Sequence, residues 1–335
     1  MKAAVWTAPG TMELQQLPAP DAGPSEALIR VTGAGVCGSD LHVWKGATPD
    51  RKPPLILGHE TTGRIVLLAE ADGLHQGDTV AIYPVLGCET CSYCQRGREA
   101  LCRHKKPRGI YAAGGFAEFT RAPLRNLYPI KLSRPEFGAL VEPLATAIRF
   151  VNSAINDHGP AAIFGLGPIG LMILQVAKLR GFSRFAAVEG NPYRADTAKE
   201  NGVELVLDPS DPNLQSQLEE FFGEDGCSLV WNTAGVTAAR QLSLKIVKSE
   251  GLVVEIGLSH PITPVDFDEL IRREIRLTPS YAYSRAEFAE AVKLVEQGNL
   301  ALDDFVSQAP LENIQHVFED LHKPDTQNVK VILRP

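Results

Sequence analysis

The chain has 335 residues, 44% of them hydrophobic, which is long and apolar enough for two folded cores rather than one. Its 33 Lys and Arg against 40 Asp and Glu give a net charge of -7, which repels a phosphate backbone, so no nucleic-acid partner is expected. No window approaches the roughly 18 consecutive apolar residues of a membrane span, and Pro9 and Gly10 interrupt the opening segment before any secretory apolar run develops. The expected setting is cytoplasmic, without a membrane partner.

From about Met1 to Arg149 the chain is rich in Pro and Gly, and its apolar runs are short, such as Ala27-Leu28-Ile29-Arg30-Val31 and Thr79-Val80-Ala81-Ile82. That texture predicts an irregular, mostly β domain over residues 1–150. Within it, Gly35-Val36-Cys37-Gly38-Ser39-Asp40-Leu41-His42 sets a cysteine beside polar residues and a histidine. Gly58-His59-Glu60 follows, and Val141-Glu142-Pro143 lies far downstream. Cys, His and carboxylate are the ligand types of catalytic zinc, where three protein ligands leave a fourth position open. Singly these signals are weak: a lone Cys37 is more often a small buried hydrophobe, and a lone His59 a satisfied core histidine.

Between them stands a stronger pattern. Cys88, Cys91, Cys94 and Cys102 read C-x2-C-x2-C-x7-C, four of the chain's six cysteines in one short stretch. Two-residue gaps let successive thiolates converge on one tetrahedral ion, and a fourth from a short loop closes the shell. A structural zinc is expected, because a closed four-thiolate site leaves no position for substrate. Four cysteines also suit an iron–sulfur centre. A disulfide framework is not expected in a chain of this length without a secretory signal.

Over residues 151–284 the texture changes to apolar strands alternating with helical stretches, the pattern of a parallel sheet. The predicted strands are 161–164, 185–188, 205–207, 229–231, 252–256 and 275–277. Gly165-Leu166-Gly167-Pro168-Ile169-Gly170 follows the first strand and opens a helix over 169–179. In that context the glycines serve a tight turn (Gly165), close approach of a pyrophosphate (Gly167) and helix–strand packing (Gly170). Glu189 ends the second strand, close to the spacing expected of the acid that binds the adenosine ribose. Arg194 reads two ways, as a cover for the adenine face or as a solvated helix charge. Thr233 and Ala234 after the fourth strand, and Ile256 at the end of the fifth, lie where such folds bind ligand and are expected near the nicotinamide. A last amphipathic helix over 286–297 leads to a tail ending in Val329-Lys330-Val331-Ile332-Leu333. Residues 285–335 are expected to rejoin the first domain, which makes the Rossmann domain an insertion.

Taken together, Gly-Val-Cys-Gly-Ser-Asp at 35–40, Gly-His-Glu at 58–60, the four cysteines, Glu-Pro-Leu at 142–144 and the glycine motif at 165–170 resemble the medium-chain zinc-dependent alcohol dehydrogenases over the whole length. The resemblance implies an α/β fold, a GroES-like catalytic domain with an inserted doubly wound Rossmann domain, and two zinc ions per chain. Cys37 and His59 would bind the catalytic zinc, with Glu60 and Glu142 as exchanging or alternative ligands. Asp40 would brace His59 through its other ring nitrogen. Ser39 would hydrogen-bond the alcohol oxygen and His42 would pass its proton to solvent. A homo-oligomer, by family habit a tetramer, is implied as well.

The implied reaction is reversible hydride transfer between a secondary alcohol and NAD, with a ketone or aldehyde as the oxidised partner. Glu142, in place of a cysteine, resembles the polyol, sugar and threonine branch. Polyol enzymes of the sorbitol type carry an Arg-Tyr pair before the last long helix, where this chain reads Pro279-Ser280-Tyr281-Ala282-Tyr283-Ser284. That departure points away from sorbitol and leaves another sugar, a diol or L-threonine. The alternatives are an NADP-preferring sugar dehydrogenase and a noncatalytic cofactor-binding relative, although the latter would typically lose the metal ligands. A zinc-ribbon nucleic-acid module would need a basic face, which the net charge of -7 opposes.

Overall fold

In the strand Glu26–Gly35, Ala27, Ile29 and Val31 turn inward while Arg30 turns to solvent, the period-two alternation of a half-buried strand. In the computed structural model, which describes residues 1–48, 51–68, 73–154, 159–224 and 226–335, this strand is the spine of a seven-stranded sheet. The sheet runs Val306–Pro310, Lys330–Arg334, Glu26–Gly35, Glu60–Leu68, Thr79–Ile82, Leu127–Pro129, and Phe119–Pro123 pairs alongside Glu26–Gly35. Its inward residues Ala27, Ile29, Ile65, Val80, Ile82, Ala122 and Leu127 form one core. A three-stranded sheet, Thr11–Gln16, Lys2–Ala8 and Leu55–Ile56, completes the β structure of this unit.

The chain divides into two compact units, Met1–Ala145 with Tyr283–Pro335, and Thr146–Ala282. The C-terminal tail belongs to the first because Ile332 pairs with Gly35 in antiparallel register. Before it, the helix Arg285–Gln297 buries Phe288, Ala291, Val292 and Val295, an i, i+3, i+4, i+7 face. Ser284 and Glu287 cap its start reciprocally, and Gly298 ends it in a left-handed turn at φ 65°.

The second unit is a six-stranded parallel sheet in the order Leu205–Leu207, Phe185–Val188, Ala161–Phe164, Cys227–Asn232, Val247–Glu255, Arg276–Pro279. Numbered along the chain this order is 3-2-1-4-5-6, the Rossmann arrangement. The first three strands have the predicted limits. The fourth and fifth begin earlier than predicted: Val247–Glu255 takes over directly where the helix Thr237–Ile246 ends, with Glu250 accommodated at a positive φ of 60°. The core gathers Ala162, Phe164, Ala186, Val188, Val230 and Val253 from four neighbouring strands. Among the described residues no helix is long and apolar enough to cross a membrane.

Candidate active site

Cys37 stands at the entrance of the helix Gly38–Trp44, in extended backbone. Its amide donates to Asp40 Oδ2 at 3.0 Å, so a residue one turn inside the helix fixes the cysteine's direction. Asp40 is 2% exposed, and its other oxygen lies 3.4 Å from His59 Nδ1, an ionic approach without the alignment of a hydrogen bond. One buried carboxylate thus faces both Cys37 and His59. Glu60 begins the strand Glu60–Leu68 directly opposite Gly35. A side chain at position 35 would occupy the place of the Glu60 carboxylate, since a Cβ there falls 2.0 Å from Oε2. Only glycine leaves Glu60 its place.

These placements bring ligand atoms of Cys37, His59 and Glu60 within 4.8 Å of one another. Glu142, in the first turn of the helix Val141–Asn152, stands outside that set. Its Oε1 accepts a hydrogen bond of 2.7 Å from the Tyr283 hydroxyl. Lys330, completely buried, donates to Glu60 and to the Val36 carbonyl at 3.0 Å.

The electrostatics of this pocket follow from crowding ionisable groups away from water. Burial pushes the Glu142 carboxyl up, Glu60 repels it further, and His59, Tyr283 and Lys330 act in the opposite direction. Burial opposes a charge on His59, yet Asp40 and Cys37 outweigh it and hold the imidazole well above its ordinary range. Burial likewise opposes a charge on Lys330, and Glu60 and Cys37 overcome it. With a thiol, an imidazole and a carboxylate converging, the donor set fits zinc with one coordination position left over.

The four-cysteine segment is a second such centre. The sulfurs of Cys88, Cys91, Cys94 and Cys102 also lie within 4.8 Å of one another, with Cys91 and Cys94 at 3.5 Å and Cys88 and Cys94 at 4.0 Å. A tetrahedron of ~2.3 Å metal–sulfur bonds has edges of about 3.8 Å, whereas a disulfide needs ~2.05 Å. All six cysteines are free thiols. A hydrogen bond from Thr90 lowers the Cys88 thiol to about 6, while burial raises Cys94 to about 12. Four thiolates so close cannot all ionise unless a cation compensates them. The segment is tied down by Arg285, which donates to Glu99, to the Arg125 carbonyl at 2.8 Å and to Asn126 Oδ1 at 2.9 Å.

Ser39 and His42 share the helix Gly38–Trp44, Ser39 half-buried and His42 exposed. Being three residues apart they lie on one helix face. Among the described residues neither makes a side-chain hydrogen bond, so the structure does not link them directly.

In the second unit Gly165 turns at φ 88°, and Thr233 Oγ1 donates to the Phe164 and Gly165 carbonyls at 3.0 and 2.8 Å, pinning that turn. Gly170 packs so tightly that a Cβ would fall 2.1 Å from the Gly165 oxygen, while nothing lies within 4 Å of one at Gly167. Pro168 opens the helix Pro168–Leu179, Ile169 follows half-buried, and Gly167 supplies no side-chain cap. The helix therefore presents bare amides beside an open space, which fits an anionic pyrophosphate. Glu189 accepts hydrogen bonds from the Leu166 amide at 2.6 Å and the Asn191 amide at 2.8 Å, and so stands beside the glycine turn. Arg194 is half-buried in the next helix, its Nε without a hydrogen-bond partner. The Ala234 amide bonds to Phe164 and that of Ile256 to Asn232, each following its strand end.

Sequence reasoning missed Lys330 and Tyr283. For Lys330 a signal existed: one charge inside the apolar run Val329–Leu333 calls for a buried partner. Tyr283 carried none that set it apart from its neighbour Tyr281.

Comparison with known proteins agrees with this geometry. Residues 23–132 match the alcohol dehydrogenase GroES-like domain family, and residues 168–297 the zinc-binding dehydrogenase family. L-threonine 3-dehydrogenase of Bacillus velezensis is 31% identical over 96% of this chain and 95% of its own. Sorbitol dehydrogenase of Halalkalibacterium halodurans is 31% identical over 89% of each chain. A zinc-binding dehydrogenase from Sinorhizobium meliloti 1021, solved bound to NADP, superposes with a TM-score of 0.92 at 29% identity, covering 100% of this chain and 99% of its own. The chain belongs to the medium-chain zinc-dependent alcohol dehydrogenases. It is an oxidoreductase of alcohols that uses zinc and a nicotinamide cofactor, as the sequence motifs led one to expect. As a member of this family it has both expected domain types, the GroES-like and the Rossmann.

Proposed function

We propose that this dehydrogenase oxidises a secondary alcohol of the sugar, diol or threonine class, with NAD preferred over NADP and two zinc ions per chain. The observation that carries the reading is the convergence of Cys37, His59 and Glu60 within 4.8 Å of one another beside the buried Asp40. Cys37, His59 and Glu60 would hold a zinc ion able to supply Lewis acidity toward a substrate hydroxyl, and the glycine turn would hold a nicotinamide cofactor able to accept hydride. The chain's own part is to hold and to move protons. Asp40 aims Cys37 and His59, Lys330 fixes Glu60, and Ser39 hydrogen-bonds the substrate hydroxyl and relays its proton, giving up its own hydroxyl proton toward exposed His42, which releases one to solvent. The second zinc belongs to Cys88, Cys91, Cys94 and Cys102, where it rigidifies the segment.

For the cofactor, Gly165, Leu166, Gly167, Pro168, Ile169 and Gly170 receive the pyrophosphate, Glu189 the ribose, and Thr233, Ala234 and Ile256 the nicotinamide side. The substrate class is supported by Glu142 and by the threonine and sorbitol dehydrogenases among the relatives.

A homo-oligomer is supported by the open edge strand Arg276–Pro279 together with the exposed apolar side chains of Leu258, Ile262, Phe267, Ile271 and Tyr281. The deciding experiment is NADH formation across sugars, polyols, diols and threonine, run beside metal analysis. Two zinc ions and turnover of one such alcohol are expected. A metal content that survives Cys37→Ser but is lost in Cys91→Ser would remove the catalytic assignment.

A further inference from the structure

The two carboxylates beside Cys37 and His59 are held by different chemistry. Glu60 is held by a buried cation, the Lys330 ammonium. Glu142 is held by a neutral donor, the Tyr283 hydroxyl, at 2.7 Å. Tyr283 is itself buried. Its ring meets Tyr83 edge-on with centres 5.8 Å apart and lies 5.9 Å from Phe288. The next residue, Ser284, is locked in the reciprocal cap of the helix Arg285–Gln297. Packing on one side and capping on the other leave the phenol little freedom to move.

We infer that Tyr283 is a positioning residue: its hydroxyl holds Glu142 outside the cluster of Cys37, His59 and Glu60, so that Glu60 is the standing third ligand of the cation. This rests on the assignment of zinc to that cluster. Glu60 can serve both partners, because one carboxylate oxygen meets Lys330 while the other faces the cation. Entry of Glu142 would add a negative charge to the cation and fill the position a substrate hydroxyl needs. A neutral phenol suits the task, since it holds a carboxylate without changing the net charge of the site. The sequence departure at Ala282 is consistent with this division of labour. Tyr283 faces a carboxylate, and the adjacent position, Ala282, holds no charged side chain.

Tyr283→Phe deletes the hydroxyl and keeps the ring packing. With cobalt(II) in place of zinc as the probe, the variant should show shifted and weaker visible bands as an additional carboxylate oxygen joins the cation. It should also release zinc to a chelator more slowly, and its kcat should fall by about tenfold or more from misplacement of the substrate oxygen, with a smaller change in KM. In a Glu142→Gln background, where an amide replaces the carboxylate, adding Tyr283→Phe should leave the cobalt spectrum unaltered. Identical cobalt spectra for the unmodified enzyme and Tyr283→Phe would overturn the positioning role and leave the zinc assignment standing. Failure of the unmodified enzyme to take up cobalt in a Cys37-dependent way would overturn both.

Discussion

The two clusters proposed to bind metal in this chain are built on opposite plans. In the four-cysteine segment every candidate ligand comes from residues 88–102, held by short turns, with one kind of donor. In the Cys37 cluster the ligands come from a helix entrance, from a strand start and, in reserve, from a distant helix, and a lysine from the last strand of the chain is buried among them. The first plan closes a tetrahedron and gives rigidity to a segment with few apolar side chains. The second leaves one position open and surrounds it with groups that tune charge. A structural site therefore needs only spacing, whereas a catalytic one needs the whole sheet register, Gly35 opposite Glu60 and Ile332 beside Gly35, to assemble it.

The sharpest way to break this contrast is to remove one ligand from each cluster. Cys37→Ser should abolish turnover while the melting temperature stays nearly unchanged. Cys91→Ser should lower it by about 10 °C or more, because metal binding and local folding are one event there. Calorimetry and metal analysis of both variants check the pair, and the reverse pattern would exchange the two roles. Next comes Lys330→Met, which leaves Glu60 buried beside other acids. A loss of about 3–5 kcal/mol is expected in metal-stripped protein, as for any buried pair deprived of one partner. Denaturant unfolding should show a smaller loss once zinc is restored, because the cation replaces the missing charge. Equal losses with and without zinc would mean that Lys330 serves the fold and not the site. Ser39→Ala should lower kcat by roughly 10²–10⁴ with zinc content intact, and His42→Ala by less, since solvent substitutes for an exposed outer member. Full activity of Ser39→Ala at neutral pH would mean that the proton leaves by another route.

How much of this could be read in advance follows the same division. The parallel strands of the second unit are local apolar runs between helices, so the limits of Ala161–Phe164, Phe185–Val188 and Leu205–Leu207 could be set from sequence. Cys88, Cys91, Cys94 and Cys102 announce themselves by spacing. Cys37, His59 and Glu60 became a site only through resemblance, because nothing local says that strands far apart in sequence will pair. Lys330 and Tyr283 escaped notice for the same reason. Their partners lie far away along the chain, at Glu60 and Glu142, and a tyrosine near a helix start looks like any other.

The cofactor domain offers the smallest and most discriminating test, again of a local against a longer-range feature. The glycine turn is local, but the proposed choice of NAD over NADP rests on Glu189, just after the second strand, weighed against Arg194 in the helix beyond it. Glu189 is placed by two backbone amides, those of Leu166 and Asn191, and so its carboxylate is held beside the turn where a ribose would lie. A fixed negative charge there accepts ribose hydroxyls and repels a 2′-phosphate. Arg194 pulls the other way if its guanidinium reaches that phosphate. Removing the carboxylate altogether would also free the Leu166 amide and loosen the turn, which would confuse the result. Glu189→Gln reduces this, because its single amide oxygen can still accept from the Leu166 amide while the charge is gone, leaving its NH2 toward the Asn191 amide that the second carboxylate oxygen had served. Its kcat/KM ratio should move toward NADP by about 1 kcal/mol, roughly fivefold, the scale of one hydrogen bond. Arg194→Ala in the same background tells the two residues apart: if the gain toward NADP disappears, the guanidinium was holding the phosphate, and if it persists, the carboxylate alone set the preference. An unmodified enzyme with a higher kcat/KM for NADP would reverse the assignment and make Arg194 the selecting residue.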